Sequence, residues 1–478
     1  MASADESFAV TREWAMPHFS AEEHVARGRA ERAEIPRTAH ATWEALPSRP
    51  DPIGLLEEQA KTRVPELAPI RYGRMLFSPF AFYRGAASVM ASDLAATARS
   101  GLRAQLCGDA HLSNFGVFGS PERRMVFDIN DFDETLPGPW DWDVKRLAAS
   151  IELAGRDNGF SKSARSDVVL TTVRAYREAM QGFAALRHLD VWYASLDIED
   201  ILDRARSQVS RGRRNVTERN VAKARTKDSV QAYEKLSHEV GGRRRIISDP
   251  PLIVPMDEFV QGAPREELEQ QVRGILRGYR SSLQADRRHV LEGFNFADMA
   301  HKVVGVGSVG ARTWIILLLG RDDQDPLFLQ AKEAQTSALE RFLGKSRYAN
   351  SGQRVVAGQR MMQAASDIFL GWHRSKGADG IERDFYVRQL RDWKFSVDIA
   401  ALDRVLLTTY GRLCGWTLAR AHARSGDRIA IASYLGKADT FDKATTAFAV
   451  AYADQTERDH QALADAVTSG RIQAETGL

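Results

Sequence analysis

The chain has 478 residues, 44% hydrophobic and 27% charged, with a formal net charge of +3. That length accommodates two or three domains with ample core, and the near-balanced charge gives no reason to expect nucleic acid as a partner. The two cysteines, Cys107 and Cys414, lie far apart and outside any CxxC, which excludes a disulfide framework or a cysteine-built zinc site and suits a reducing, cytoplasmic setting.

In chain order, residues 1–60 are polar and punctuated by proline, and read as an N-terminal extension partly wrapped on the body. The start carries Asp5, Glu6 and Arg12 with no apolar h-region, unlike a secretory signal. Residues 61–240 read as the first part of a large helical lobe. A helix is expected over 86–98, then strands at 103–106, 115–118 and 124–129, the last two joined as a hairpin by Gly119-Ser120-Pro121. From Trp140 the period becomes 3.6, with Trp140, Val144, Leu147, Ala148 and Ile151 on one face. Arginines clustered over 211–225 and 243–245 read as a solvated face or linker. Gly241-Gly242 and Pro250-Pro251 mark a boundary, and 241–299 reads as linker and helix. Residues 300–392 predict a small β-rich lobe: strands at 302–305, 313–319 and 327–331, helices at 335–344 and 353–366, and a hairpin pairing 368–372 with 385–390. Residues 393–478 return to helix, with Leu406, Tyr410, Leu413, Thr417 and Ala421 sharing a face, as the second part of the helical lobe. No apolar run is long enough for membrane insertion. The fold class is therefore α+β.

Two stretches of the first lobe carry chemistry. Gly108-Asp109-Ala110-His111-Leu112-Ser113-Asn114 sets an Asp five residues before an Asn. Soon after, Asp128, Asp131 and Asp133 are interleaved with Phe127, Ile129 and Phe132. Three carboxylates in an apolar setting cannot all be buried unpaired. They are solvated in a turn or gathered around a cation, and oxygen-only ligands suit magnesium better than zinc. Phosphoryl transfer uses such groups: a carboxylate to orient the attacking hydroxyl, and an Asn and an Asp to hold magnesium on the phosphates. His111, with Asp109 and the Asp cluster, also leaves a metal-dependent hydrolase open. In the second lobe, Gly305-Val306-Gly307-Ser308-Val309-Gly310 leads into the β-forming run 313–319 rather than into a helix, which disfavours a dinucleotide fold. A strand, a Gly-rich turn, a strand, a turn and a strand ending at Lys332 suit a cover over ATP phosphates. An ordinary hairpin with a surface lysine is the plain alternative. Asp141 and Asp143 fall at a helix start, where capping and the helix dipole alone favour acids.

Together these residues resemble the protein-kinase-like superfamily, specifically its aminoglycoside/choline phosphotransferase branch. The matching runs are Cys107-Gly108-Asp109-Ala110-His111-Leu112-Ser113-Asn114, Asn130-Asp131-Phe132-Asp133-Glu134 and Trp140-Asp141-Trp142-Asp143-Val144-Lys145. The resemblance implies Asp109 as the catalytic base or hydroxyl-orienting residue, and Asn114 and Asp131 as metal ligands, with Asp128 the rival to Asp131. It implies Asp143 as a brace for the catalytic loop backbone, and His111 and Asp133 as structural support. ATP and Mg2+ are the implied cofactors, with Gly305, Gly307, Ser308, Gly310 and Lys332 on the nucleotide phosphates and Gln389 to Asp392 near the adenine. In ordinary kinases the Gly-rich loop precedes the catalytic loop, whereas here it follows. The helix over 411–422, with Leu418-Ala419-Arg420-Ala421-His422, looks like the one that normally leads into the catalytic loop. The implied fold is two-lobed, kinase-like and circularly permuted. Two features depart from the pattern: Cys107 stands where the branch has His, and the helix over 353–366 offers Gln353, Gln359 and Gln363 but no Glu for Lys332, which leaves Glu340 as candidate partner. The chain is also similar to an uncharacterised bacterial family, domain of unknown function 2252, through Arg71-Tyr72-Gly73-Arg74-Met75, Ser78-Pro79-Phe80 and Phe82-Tyr83-Arg84-Gly85.

The expectation is a cytoplasmic, ATP- and Mg-dependent phosphotransferase whose hydroxyl-bearing acceptor, small molecule or protein, is unidentified. Its alternatives are a catalytically silent nucleotide-binding pseudokinase module and a metal-dependent hydrolase.

Overall fold

A computed structural model describes residues 19–205, 229–260 and 264–477, apart from 304, 306, 308, 378, 391 and 392. Ser308, Asp392 and the arginines of 211–225 lie outside the described residues. Helix makes up 53% and strand 17%, so the chain is α+β.

The helical body is built around helix Trp140–Asp157, which is buried on all sides rather than along one face. Its apolar residues explain part of this. Trp140 is fully buried, stacked on Tyr176 at 5.6 Å and tilted against Phe441. Its charged residues are buried because each has a partner, as burial of charge requires. Lys145 donates to Ala98 O at 2.9 Å, Glu152 accepts from Arg156 and Arg165, and Asp143 and Arg146 reach the site described below. Helices Lys162–Ala185, Arg404–Ser425 and Thr440–Thr468 pack around it. Gly411 and Gly415 let Arg404–Ser425 lie close on Lys162–Ala185, since a Cβ there would lie 2.2 Å from Thr172 Oγ1 and 2.5 Å from Thr172 O, respectively.

The strands are β1 (Arg103–Leu106), β2 (Phe115–Gly119), β3 (Met125–Ile129), β4 (Leu136–Pro139), β5 (Ser237–Val240), β6 (Arg243–Ile246), β7 (Ile253–Pro255), β8 (Asn295–Lys302), β9 (Thr313–Leu319), β10 (Pro326–Ala334), β11 (Gly371–Lys376) and β12 (Glu382–Gln389). In the helical body β1 pairs with β4, and β2 with β3 as the expected hairpin. The β lobe is one antiparallel sheet of order β11-β12-β10-β9-β8-β7.

This sheet starts earlier than the sequence suggests. A strand expected at 302–305 lies at β8, and the expected linker supplies β7. Buried polar residues disguise β8: Asp298 accepts from Ile246 N at 2.8 Å and from Arg265, and His301 packs between Phe259 and Trp314. A bulge between Phe296 and Asp298 also breaks its alternation. One face is covered by helix Arg265–Arg280, whose Leu268, Val272 and Tyr279 meet Ile316, Leu318, Leu327 and Leu329. The other face is covered in two parts. Helix Ser229–Leu236 and β6 lay Ala232, Tyr233, Leu236 and Ile246 against Ile315, Leu317 and Phe328. Helix Ser351–Met362 packs beside them on β10, β11 and β12. Burial on both faces is why 313–319 reads as a continuous apolar run.

Candidate functional site

β1 and β4 form the base from which two loops rise: 107–114 before β2 and 130–135 after β3. The first is fixed by Asp143, whose carboxylate accepts from Cys107 N at 2.8 Å and Gly108 N at 3.1 Å, with His422 Nε2 at 3.4 Å. Gly108 has φ +82°, and a Cβ there would lie 2.4 Å from Glu134 O, so only glycine lets the loops meet this closely. Asn114 joins them, donating Nδ2 to Asp109 O at 2.8 Å while its own carbonyl accepts from Asn130 N at 2.8 Å. Among the described residues no hydrogen bond engages Asn114 Oδ1.

Asp109 is held by Arg146, whose Nε and Nη2 both reach Oδ1 at 2.5 Å. Its Oδ2 lies 3.6 Å from His111 Nε2. Burial pushes the Asp109 carboxyl up, against the pull of Arg146. His111 is pushed well below its ordinary value by burial, then by Arg146 and Arg84. It faces Asp109 and not the later acids.

The acidic cluster divides. Asp128 is 1% exposed and its oxygens are taken by Arg420 at 2.5 Å, Ala364 N at 2.8 Å and Ile129 N at 2.9 Å. These bonds set it apart from Asp131 and Asp133, because its charge serves to neutralise a buried arginine. Asp131 and Asp133 instead face Lys332 of β10. Asp133 Oδ2 is hydrogen-bonded to Lys332 Nζ, its Oδ1 accepts from Tyr386 Oη at 2.8 Å, and Asp131 Oδ2 lies 3.9 Å from Nζ. Lys332 is 3% exposed, not a surface lysine. Burial opposes its charge, but Asp133, Tyr386 and Asp131 outweigh that and hold its pKa above the ordinary lysine value. Burial and then the neighbouring Asp133 push the Asp131 carboxyl up. A divalent cation would relieve that repulsion, and the carboxylate and amide oxygens that Asp131 and Asn114 carry are of the kind that Mg2+ accepts as ligands. Among the described residues no group of three or more His, Cys, Asp or Glu side chains is placed to hold a metal ion.

The Gly-rich turn connects β8 to β9 directly beside Lys332, which pairs in register with Thr313. Arg63 fastens it by donating Nη2 to Gly307 O at 2.9 Å and Nη1 to Val309 O, and Gly310 O accepts from Val64 N at 2.8 Å. Gly305 is exposed, with open space around its Cβ position. A cleft of about 1100 Å³ opens here, lined by Gly307, Asp133, Glu134, Glu333, Arg341 and Arg383 among others. Gln389, expected near a base, is committed to Asp367 through backbone N and side chain at 2.5 and 3.0 Å. The sheet face next to Lys332 is the one covered by Tyr233 and Leu236.

Glu340 does not reach Lys332. It accepts from Ser337 N and Ser346 N and lies 3.8 Å from Arg354 Nε. Helix Ser351–Met362 thus presents an arginine where a glutamate was sought. Arg354 donates to Asp133 O, Thr135 O and Gln335 O, each at 2.8 Å. Its charge fits because the lysine's acid comes from the 131–133 loop instead. Sequence reasoning also missed Arg146, Tyr386, Arg388 and Lys394. Arg146 had a signal, since it lies three residues after Asp143 on one helix and so shares its face. Tyr386 and Arg388 alternate on a strand whose register with Lys332 only the fold reveals.

No curated protein and no solved structure matches the chain. The family described as "Uncharacterized protein conserved in bacteria (DUF2252)" matches residues 63–466. That span includes every site residue named above, and the chain belongs to this family.

Proposed function

We propose that the chain is a Mg2+- and ATP-dependent phosphotransferase with a circularly permuted, kinase-like arrangement, acting on a hydroxyl-bearing acceptor. One observation carries the reading: Lys332 of the β lobe and Asp133 of the acidic loop, 199 residues apart, are in direct contact, with Asp131 and the Gly-rich turn alongside. The permutation has its own support. Helix Arg404–Ser425 ends against β1, where Ser425 Oγ accepts from Gln105 N at 3.1 Å, so the helix reaches the strand that enters the Asp109 loop from the other end of the chain.

When bound, ATP supplies the transferable phosphoryl group and Mg2+ neutralises its charge. Asp109, fixed through Oδ1 by Arg146, orients the acceptor hydroxyl and takes its proton on Oδ2. Asn114 Oδ1 and Asp131 would hold the cation, and Lys332 with the turn at Gly305 and Gly307 would hold the phosphates. Asp143 keeps the loop in shape through its two backbone bonds. The test is Mg–ATP binding to wild type, Lys332→Ala and Asp131→Ala by calorimetry. Binding by wild type that both substitutions abolish is expected; absent or unchanged binding overturns the proposal.

A second reading, a silent nucleotide-binding module, is favoured by Tyr233 and Leu236 covering the sheet face beside Lys332 and by Arg354 in place of a glutamate. It predicts nucleotide binding without turnover. Phosphate transfer that Asp109→Asn eliminates would exclude it.

A further inference from the structure

Helix Pro79–Gly85 is started by Ser78, whose Oγ accepts from Ala81 N at 3.1 Å, and by a proline in its first turn. Near its end it carries Arg84, whose backbone is fixed from three sides. Arg146, the residue that holds Asp109, donates Nη2 to Tyr83 O at 3.0 Å and lies over the Tyr83 ring at 4.3 Å. Arg71, 1% exposed, donates Nη2 to Gly85 O at 2.7 Å. On the third side is the Gly-rich turn, where a Cβ on Gly307 would lie 3.2 Å from Arg84 O. Arg84 therefore stands between the Asp109 loop and that turn. Ser88, the second residue of helix Ala87–Ala95, lines the cleft with Gly307 and Asp133, and its buried Oγ has no hydrogen-bond partner among the described residues.

The arginines around Arg84 are committed to the fold. Arg146 is bound to Asp109, Arg71 to Gly85 O and Gln59, and Arg63 to the carbonyls of the Gly-rich turn. Arg84 differs. Among the described residues its guanidinium donates no hydrogen bond and has no ion-pair partner, and its Nε is shut off from solvent. The Phe80 ring lies 6.0 Å away, at the limit of a cation–π contact. Burial pushes the guanidinium down and Asp109 opposes this, but the Oδ1 of that acid is already taken by Arg146. The neighbouring run 303–310 contains no acidic residue. A guanidinium cannot shed its proton to escape the cost of burial, so a half-buried one without a partner is favoured only when an anion or water meets it.

We propose that Arg84 binds the terminal phosphoryl group of the donor, the group that passes from the Gly-rich turn toward the hydroxyl at Asp109. The identity of the anion rests on the phosphotransferase reading, which places phosphates at the turn and the acceptor at Asp109. A planar cation between those two landmarks is suited to the equatorial oxygens of a phosphoryl group in flight.

The test uses the full chain with Mg–ATP and Mg–ADP, which differ by that phosphoryl group alone. Calorimetry is expected to show that Arg84→Gln weakens Mg–ATP about 10- to 100-fold, the loss of one charge-assisted hydrogen bond, and leaves Mg–ADP within about threefold of wild type. Arg84→Lys keeps the charge and should weaken Mg–ATP less than Arg84→Gln does. Without nucleotide, Arg84→Gln should unfold at a denaturant concentration no lower than wild type, because it removes a cation that has no partner, whereas a structural arginine would lower the midpoint. Unchanged Mg–ATP binding by Arg84→Gln, equal weakening of both nucleotides, or a lowered midpoint overturns the proposal and leaves the phosphotransferase reading standing. No nucleotide binding by wild type removes that reading and the assignment of Arg84 with it.

Discussion

Asp128 and Asp131 are three residues apart and chemically identical, yet their surroundings differ. Asp128 neutralises Arg420, both being 1% exposed, so Asp128→Asn leaves a buried guanidinium without its counter-charge. A loss of about 3–5 kcal/mol in denaturant unfolding is expected. Asp131→Asn, at a side chain 28% exposed, should change unfolding little and remove Mg-dependent nucleotide binding. The pair of measurements separates structural from ligand-binding acid. Lys394 gives a pH-dependent prediction. Its folded pKa, about 7, lies below the ordinary 10.5, so the unfolded chain binds more protons between those values. Its destabilising effect is therefore full below about pH 7 and fades as pH rises toward 10.5. Lys394→Met should stabilise the protein at pH 6 to 7 and lose that advantage by about pH 10.5, as followed by denaturant midpoints across pH.

At the level of elements, close packing places the loops. Helix Arg404–Ser425 lies on Lys162–Ala185 through Gly415, and from this position His422 reaches Asp143 and Tyr176 while Arg420 reaches Asp128. Gly415→Val would force its side chain into Thr172 O. A loss of about 1–3 kcal/mol is expected from overpacking, checked by denaturant unfolding. Element types were mostly legible. Strand β9, the β2–β3 hairpin and the helix from Trp140 announce themselves by apolar runs, turn residues and period. The expected helix over 335–344 shrinks to Glu340–Leu343, and the expected 353–366 becomes Ser351–Met362, where Asn350 caps the start by accepting from Gln353 N at 2.9 Å. The strand at 302–305 was misplaced because Asp298 and His301 look solvent-facing until their partners are known.

In the whole molecule, distant parts of the chain are joined by buried charge. Arg49, in the expected extension, donates to both oxygens of Asp93 and both of Asp459 at 2.6–2.9 Å. Arg49→Ala would leave two buried carboxylates unpaired, and a loss of about 3–5 kcal/mol is expected in equilibrium unfolding. It would tie the expected extension to the fold as a structural part. By itself the sequence determined the local chemistry: an Asp–Asn loop, an acidic loop, a Gly-rich turn with a following lysine, and the α+β pattern around them. These follow from residue type and spacing, which act over a few residues. Only the tertiary structure decided which Asp faces the lysine, that the acid for Lys332 comes from the loop and not from a helix, that Arg354 stands where a glutamate was sought, and that Lys394 shares a cavity with Arg388. Most of those outcomes depend on strand register and on pairing between residues 199 to 253 positions apart. No local spacing encodes them, because burial and charge compensation are properties of the packed molecule.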